Sequence, residues 1–139
     1  MLGALTADLD PTLFTLIGGV VGLLVGSFLN VVIHRLPRMM ERDWRLHCAE
    51  LRGEELPEEQ PFSLVWPRSR CPACGHAITA MENVPVLSWL YLRGQCSACH
   101  ALISPRYPLV ETISGLSCAF AAFHFGYGWA ALGAMLLIW

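Results

Sequence analysis

Lysine is absent from this chain, and charge of either sign is scarce: nine basic residues, all arginine, and 11 acidic ones among 139 positions. With 55% hydrophobic and 14% charged residues and a mean hydropathy of +0.49, the composition lies outside soluble averages of about 45–50% apolar and about 25% charged. An ordinary soluble domain is excluded. The run Leu13 to Ile33 lacks charge over 21 residues, enough to cross a hydrocarbon core of about 30 Å at about 1.5 Å per residue. It also lacks the marks of a cleaved signal peptide: Asp8 and Asp10 stand where a basic start would be, and no small-residue cleavage pattern precedes the arginines. Residues 13–33 are therefore expected to be a retained transmembrane helix.

Orientation follows from where the arginines are. All nine fall between residues 34 and 107, and Arg35, Arg38, Arg42 and Arg45 lie just past the first span. The positive-inside rule puts residues 34–107 in the cytoplasm and the short segment 1–12 outside. A second span is expected at 108–125, apolar except for Glu111, followed by a Gly126-Tyr127-Gly128 turn. The apolar run 129–139 is too short to cross a bilayer, which takes about 20 residues, and is read as the start of a third span belonging to a longer membrane protein. Along the first span Gly18, Gly22, Gly26, Asn30 and His34 recur every fourth residue. Such a stripe lets another helix approach closely; Asn30 and His34 either join that packing or form a polar site near the cytoplasmic surface.

The polar stretch between the spans has too little apolar sequence for a large core. What it has instead is two Cys-x-x-Cys pairs, Cys71/Cys74 and Cys96/Cys99. Cytoplasmic thiols stay reduced, so pairs at this spacing point to metal ligation rather than disulfides. Four thiolates would close a tetrahedral zinc site, structural rather than catalytic, worth on the order of 10–16 kcal/mol of apparent binding energy. Rubredoxin-like iron, a redox thiol pair or unliganded cysteines are the alternatives. His76 and His100 are reserve ligands that four cysteines make unnecessary, and are expected on the surface. Cys48 and Cys118 have no partner in sequence; Cys118 reads as a small packed residue.

Elsewhere the first helix is expected to break at Leu36-Pro37. Residues 50–61, acidic through Glu50, Glu54, Glu55, Glu58 and Glu59 and punctuated by Pro57 and Pro61, read as a solvated excursion, part helix and part linker. Asn83 is expected to cap a short helix with Pro85 in its first turn; its Trp89 and Tyr91 suit a membrane interface or a substrate-docking surface. Glu111, a carboxylate just inside a span, is either functional or paired with Arg106. The fold class is thus a mainly α membrane protein with a small cytoplasmic zinc-ribbon-like insertion at 71–99. The lipid bilayer is a partner, and no nucleic acid is expected.

These motifs together carry a resemblance. Gly26-Ser27-Phe28-Leu29-Asn30-Val31-Val32-Ile33-His34-Arg35-Leu36-Pro37, the two cysteine pairs, Asn83-Val84-Pro85-Val86-Leu87-Ser88-Trp89 and Arg106-Tyr107-Pro108-Leu109-Val110-Glu111 resemble, in order and spacing, the N-terminal portion of type IV prepilin peptidases, over roughly residues 18–139. The resemblance implies a multi-pass enzyme of the bacterial inner membrane. It would cleave the leader of type IV prepilins and type II pseudopilins on the cytoplasmic side, then methylate the new N-terminus with S-adenosylmethionine. In that family two aspartates, one after a span like that begun by Trp129 and one in a Gly-x-Gly-Asp motif, carry proteolysis. This chain has only Asp8, Asp10 and Asp43, none in a matching context, so no catalytic residue is assigned within it. A carboxylate dyad that splits its pKa values to activate water is missing, and this chain alone is expected to cleave nothing. No residue is assigned to the methyl donor. The alternative from another class is a non-enzymatic, membrane-anchored zinc-ribbon interaction module; a stop directly after Trp139 in the coding frame would favour it.

Overall fold

Asp10 accepts the Thr12 N–H at 2.8 Å, and Pro11 occupies the first helical position. The carboxylate satisfies a donor at the positive end of the helix, where proline has no useful donor to lose. From this start α1 runs Pro11–Leu51, 41 residues. The computed structural model describes residues 10–54 and 61–139; the expected outward segment before Asp10, and the part of the acidic excursion holding Glu55, Pro57, Glu58 and Glu59, lie outside them. The break expected at Leu36-Pro37 does not occur, since α1 continues through Pro37. Proline removes the bond to the carbonyl four residues back. Here that carbonyl is Ile33's, and both residues are exposed, so the loss falls away from the packed face.

After the polar stretch come a single 3₁₀ turn at Met81–Asn83, the short α2 (Leu87–Tyr91), α3 (Arg106–Phe125) and α4 (Trp129–Ile138). The described residues are mainly helical and contain no strand, only the isolated bridges Arg70 to Ala77 and Gln95 to Leu102. Asn83 lies inside the 3₁₀ turn and makes no cap; Val86, at φ +60°, precedes α2 instead. Gly126, at φ +65°, ends α3 where a side chain would be strained, and the chain turns into α4.

α1 and α3 pack through the glycine stripe. A Cβ on Gly22 would lie 2.6 Å from the Ser114 carbonyl and 2.8 Å from Cys118 Cβ; one on Gly26 would lie 2.8 Å from Glu111 Cα. Gly18 meets Ala122 in the same way. Asn30 is buried at the end of this stripe but His34 is exposed. Each four-residue step overshoots a 3.6-residue turn by about 40°, so by His34 the stripe has rotated away from α3. Past the glycines, Cys118, Ala121, Ala122 and Met135 form the buried cluster, with Phe14 and Ala134 against it. Cys118 is the packed small residue expected from the sequence. Trp139 Nε1 donates to Ser114 Oγ at 2.9 Å, drawing α4 along α3.

The opposite faces are apolar and uncovered. Leu16, Val20, Leu24 and Phe28 on α1, and Leu109, Ile113, Leu116, Phe120 and Phe123 on α3, are all exposed. Both helices are long and apolar enough to cross a membrane, and only 22% and 33% of their most apolar stretches are buried within the chain. Core helices of a soluble domain bury that surface. In detergent, Gly22→Ala is expected to cost about 1–3 kcal/mol through overpacking, read as a lowered Tm. Gly133→Ala, which meets nothing within 4 Å in α4, should raise stability by about 0.5–1 kcal/mol. A Gly22→Ala chain as stable as wild type would contradict the close helix contact.

Candidate metal centre and its supports

Each cysteine pair sits in a tight knuckle whose backbone is folded the same way. In the first, Cys71 N–H donates to the His76 carbonyl and Gly75 N–H to the Cys71 carbonyl, both at 2.9 Å. In the second, Cys96 N–H donates to the Ala101 carbonyl at 2.9 Å and His100 N–H to the Cys96 carbonyl at 3.0 Å. The bridges Arg70 to Ala77 and Gln95 to Leu102 close the two loops. Gly75 at φ +75° and His100 at φ +58° occupy equivalent left-handed positions. Glycine meets that demand without a Cβ clash; histidine does so at some strain. His100 is thus exposed, as expected from the sequence, with its backbone set by the turn.

The knuckles bring together the four cysteines that the sequence singles out. Their Sγ atoms all lie within 4.8 Å of one another, a group that could hold a metal ion. Across the knuckles Cys71 Sγ is 3.8 Å from Cys99 Sγ, and Cys74 Sγ is 4.0 Å from Cys96 Sγ. A tetrahedron of sulfurs at about 2.3 Å from zinc has edges of about 3.8 Å. The donor set fits, and none of these cysteines is in a disulfide. With four protein ligands no coordination position is left open for substrate.

Backbone N–H groups already favour some of the thiolates. The amides of Cys74 and Ala73 bring Cys71 down to about 7, and those of Cys99 and Ala98 lower Cys96. At Cys74 the His76 amide acts in the same direction, but the surrounding thiols, Cys99 first, prevail and push it up to about 12. Four like charges cannot gather without a cation between them. A metal held there would supply that cation and couple its binding to proton release.

A carboxylate ties the two knuckles together. Glu82 accepts from the Thr79 N–H at 2.8 Å and the Thr79 hydroxyl at 2.9 Å, and from the Ser97 hydroxyl of the second knuckle. His76 Nε2, from the first knuckle, lies 3.3 Å from both Glu82 oxygens and 3.3 Å from Ser97 Oγ. His76 is therefore a half-buried cross-link rather than a free surface residue. The sequence does spell part of this arrangement: Thr79-Ala80-Met81-Glu82 has capping-box spacing, and the Glu82 N–H returns to Thr79 Oγ1 at 3.4 Å.

Three further contacts join α2 to the stretch before α3, α2 to α3, and α1 to α3. Trp89 Nε1 donates to the Ile103 carbonyl at 3.2 Å, and its ring lies where a Cβ on Gly94 would be, 2.9 Å away. Glu111 Oε2 accepts the Val86 N–H at 2.7 Å. The pairing of Glu111 with Arg106 is thus replaced by a backbone bond, and Arg106 lies over the Tyr107 ring, 5.9 Å from its centroid. Both orphan donors ahead of a short helix and carboxylates near a span need partners, and here each supplies the other. Asn30 Nδ2 donates to the Tyr107 carbonyl at 3.0 Å, while its Oδ1 is buried without a partner.

Arg35 carries a role that the sequence reading does not anticipate. Its buried guanidinium donates to the carbonyls of Ser63 at 2.8 Å, Leu64 at 3.4 Å and Pro67 at 2.6 Å, with the Phe62 ring 5.7 Å away. The planar fork of arginine reaches several acceptors at once, which a lysine ammonium cannot match in shape. Backbone carbonyls have no residue-type signature, so nothing in the sequence identifies these partners.

Two outcomes are expected. The Ser97 hydroxyl first, then the Thr79 amide and hydroxyl, hold the Glu82 carboxyl down to about 2, against an ordinary value of about 4.3. A lowered folded pKa means that the Glu82 clasp contributes fully above the ordinary value and fades as pH falls toward about 2. The Glu82 carboxyl carbon shift should titrate accordingly, and a midpoint near the ordinary value would contradict the clasp. Arg35→Lys should open residues 61–67 to limited proteolysis, with no change in cleavage there contradicting the carbonyl anchor.

The family of the bacterial peptidase A24 N-terminal domain matches residues 20–125. A prepilin leader peptidase/N-methyltransferase of Stutzerimonas stutzeri is 56% identical over 133 residues, covering 94% of this chain and 45% of the relative. One from Pseudomonas aeruginosa is 50% identical over 130 residues, covering 93% and 45%, and one from Neisseria gonorrhoeae 44% identical over 123 residues, covering 87% and 43%. The chain spans about half the length of these curated relatives and matches their N-terminal part. No solved structure matches it. The family match covers most of the chain, including α1 from Val20 onward, both knuckles and α3, and the chain belongs to the family of the bacterial peptidase A24 N-terminal domain.

Proposed function

We propose that this chain is the N-terminal part of a bifunctional enzyme of the bacterial inner membrane, which cleaves the leader of type IV prepilins and type II pseudopilins and N-methylates the new terminus. The observation that carries this is the set of prepilin leader peptidase/N-methyltransferases at 44–56% identity over most of the chain. In this reading α1 and α3 cross the bilayer, residues 34–107 form a cytoplasmic domain, and α4 begins a third span. The arginines clustered after the first apolar run support that orientation. Proteolysis falls to aspartates in the part of the enzyme that this chain does not span. S-adenosylmethionine supplies the methyl group, and no residue here is assigned to bind it.

The chain's own share is support. Cys71, Cys74, Cys96 and Cys99 hold one structural zinc in a ribbon-like insertion, whose closed sulfur set suits folding rather than chemistry. Glu82 joins the knuckles, Arg35 anchors the strap of residues 61–67 that leads into the first knuckle, and the Val86 bond to Glu111 fixes the insertion on α3. The residues that would do chemistry are then held at the membrane surface by groups that do none.

Purified chain should contain about one zinc, and Cys71→Ser or Cys96→Ser should lose it; wild type free of zinc would remove the staple. For the enzyme, a chain extended to the length of its relatives should cleave a prepilin leader and transfer a methyl group, whereas residues 1–139 alone should not cleave. Cleavage by the short chain would overturn the assignment of catalysis to the missing part.

A further inference from the structure

We infer that α2 and the turn after the second knuckle form an interfacial foot that rests in the headgroup region of an anionic bilayer, so that the cytoplasmic unit lies on the membrane rather than standing off it. The bilayer placement of α1 and α3 proposed above is the premise. The first observation is depth. Val86 N–H donates to Glu111 Oε2, and Glu111 is five residues into α3, about 7.5 Å along its axis. The start of α2 is therefore level with the second turn of the proposed span. Interfacial helices rest at comparable depth, about 5–10 Å into the headgroup and acyl boundary.

The second observation is which side chains are left uncovered at that level. Leu87 is 65% exposed, Leu90 59%, Tyr91 87% and, beside the second knuckle, Leu102 85%. Trp89 faces the other way, its Nε1 spent on the Ile103 carbonyl. On α3 the exposed apolar row begins at the same depth with Leu109 and Ile113, so apolar side chains are uncovered at one level on both elements. Leucines and a tyrosine left in water here would be costly; in the interface their burial is favourable, with the tyrosine hydroxyl kept wet.

The third observation is charge. No acidic residue occurs from Asn83 to Val110, and the formal charges in that stretch are Arg93 and Arg106. Arg106 lies over the Tyr107 ring, a pairing that suits a guanidinium reaching the phosphate layer from an apolar base. Anionic headgroups attract such residues near the surface. A protein partner for the same leucines would have no need of a stretch cleared of carboxylates. Lipid explains both the exposed apolar side chains and the one-signed charge.

Site-specific photocrosslinking tests the foot against its alternatives. The benzophenone amino acid p-benzoylphenylalanine is placed singly at Phe120, Tyr91 or Leu51 in the chain reconstituted in phosphatidylethanolamine/phosphatidylglycerol vesicles, irradiated, and the adducts are identified by mass. Phe120 is exposed in mid-α3 and Leu51 ends α1 far from the span. Phospholipid adducts at 120 and 91 but not at 51 are expected. Adducts at 120 with none at 91, or with protein adducts alone at 91, would overturn the foot while leaving the spanning helices intact. No lipid adduct at 120 would sink the membrane placement of α3, and the foot with it.

Discussion

The close approach of α1 to α3 through Gly18, Gly22 and Gly26 is the constraint on which the remaining arrangement depends. In lipid no hydrophobic force drives two helices together, so the contact must come from fit between small residues. Once the backbones touch, Asn30 reaches the Tyr107 carbonyl and Glu111 is presented at the edge of the pair. That carboxylate then receives Val86 N–H and holds α2, and α2 carries the second knuckle through Trp89. Arg35, one turn past Asn30, holds the strap leading to the first knuckle. The two cysteine pairs meet because both arms of the insertion are pinned to one helix pair.

The insertion shows how a short polar segment is ordered without a core of its own. Among the described residues its buried hydrophobic surface is slight: Cys96 is its one buried apolar residue. Ordering each residue costs on the order of 1–2 kcal/mol of backbone entropy, which the hydrogen bonds of two knuckles do not offset alone. A metal held by the four folded thiolates would provide the missing term. Glu82 complements it, since the same carboxylate binds the backbone before the 3₁₀ turn and a hydroxyl of the opposite knuckle.

Much of this is legible in the sequence, and the pattern of success is physical. Charge-free length marks the apolar part of α1 but not its continuation to Leu51, the stride of four marks the contact face, and the Cys-x-x-Cys spacing marks the cysteine cluster, because each is set by residue type and period. Pro37 misleads because its local preference for a break is overridden within a helix whose missing bond faces outward. Asn83 misleads because the turn before α2 is fixed by Glu111, 25 positions beyond Val86. Arg35 and Glu82 are missed for a related reason. Their partners are backbone groups or residues distant in sequence, and neither composition nor spacing records them.

The central proposal is one four-sulfur metal site that organises the insertion. X-ray absorption at the zinc edge of the purified chain tests it most directly, since the first shell reports ligand type and number. Four sulfurs at about 2.3 Å and no lighter ligand are expected. A shell containing nitrogen or oxygen would show that a histidine or water completes the site, and would contradict a closed, purely structural centre.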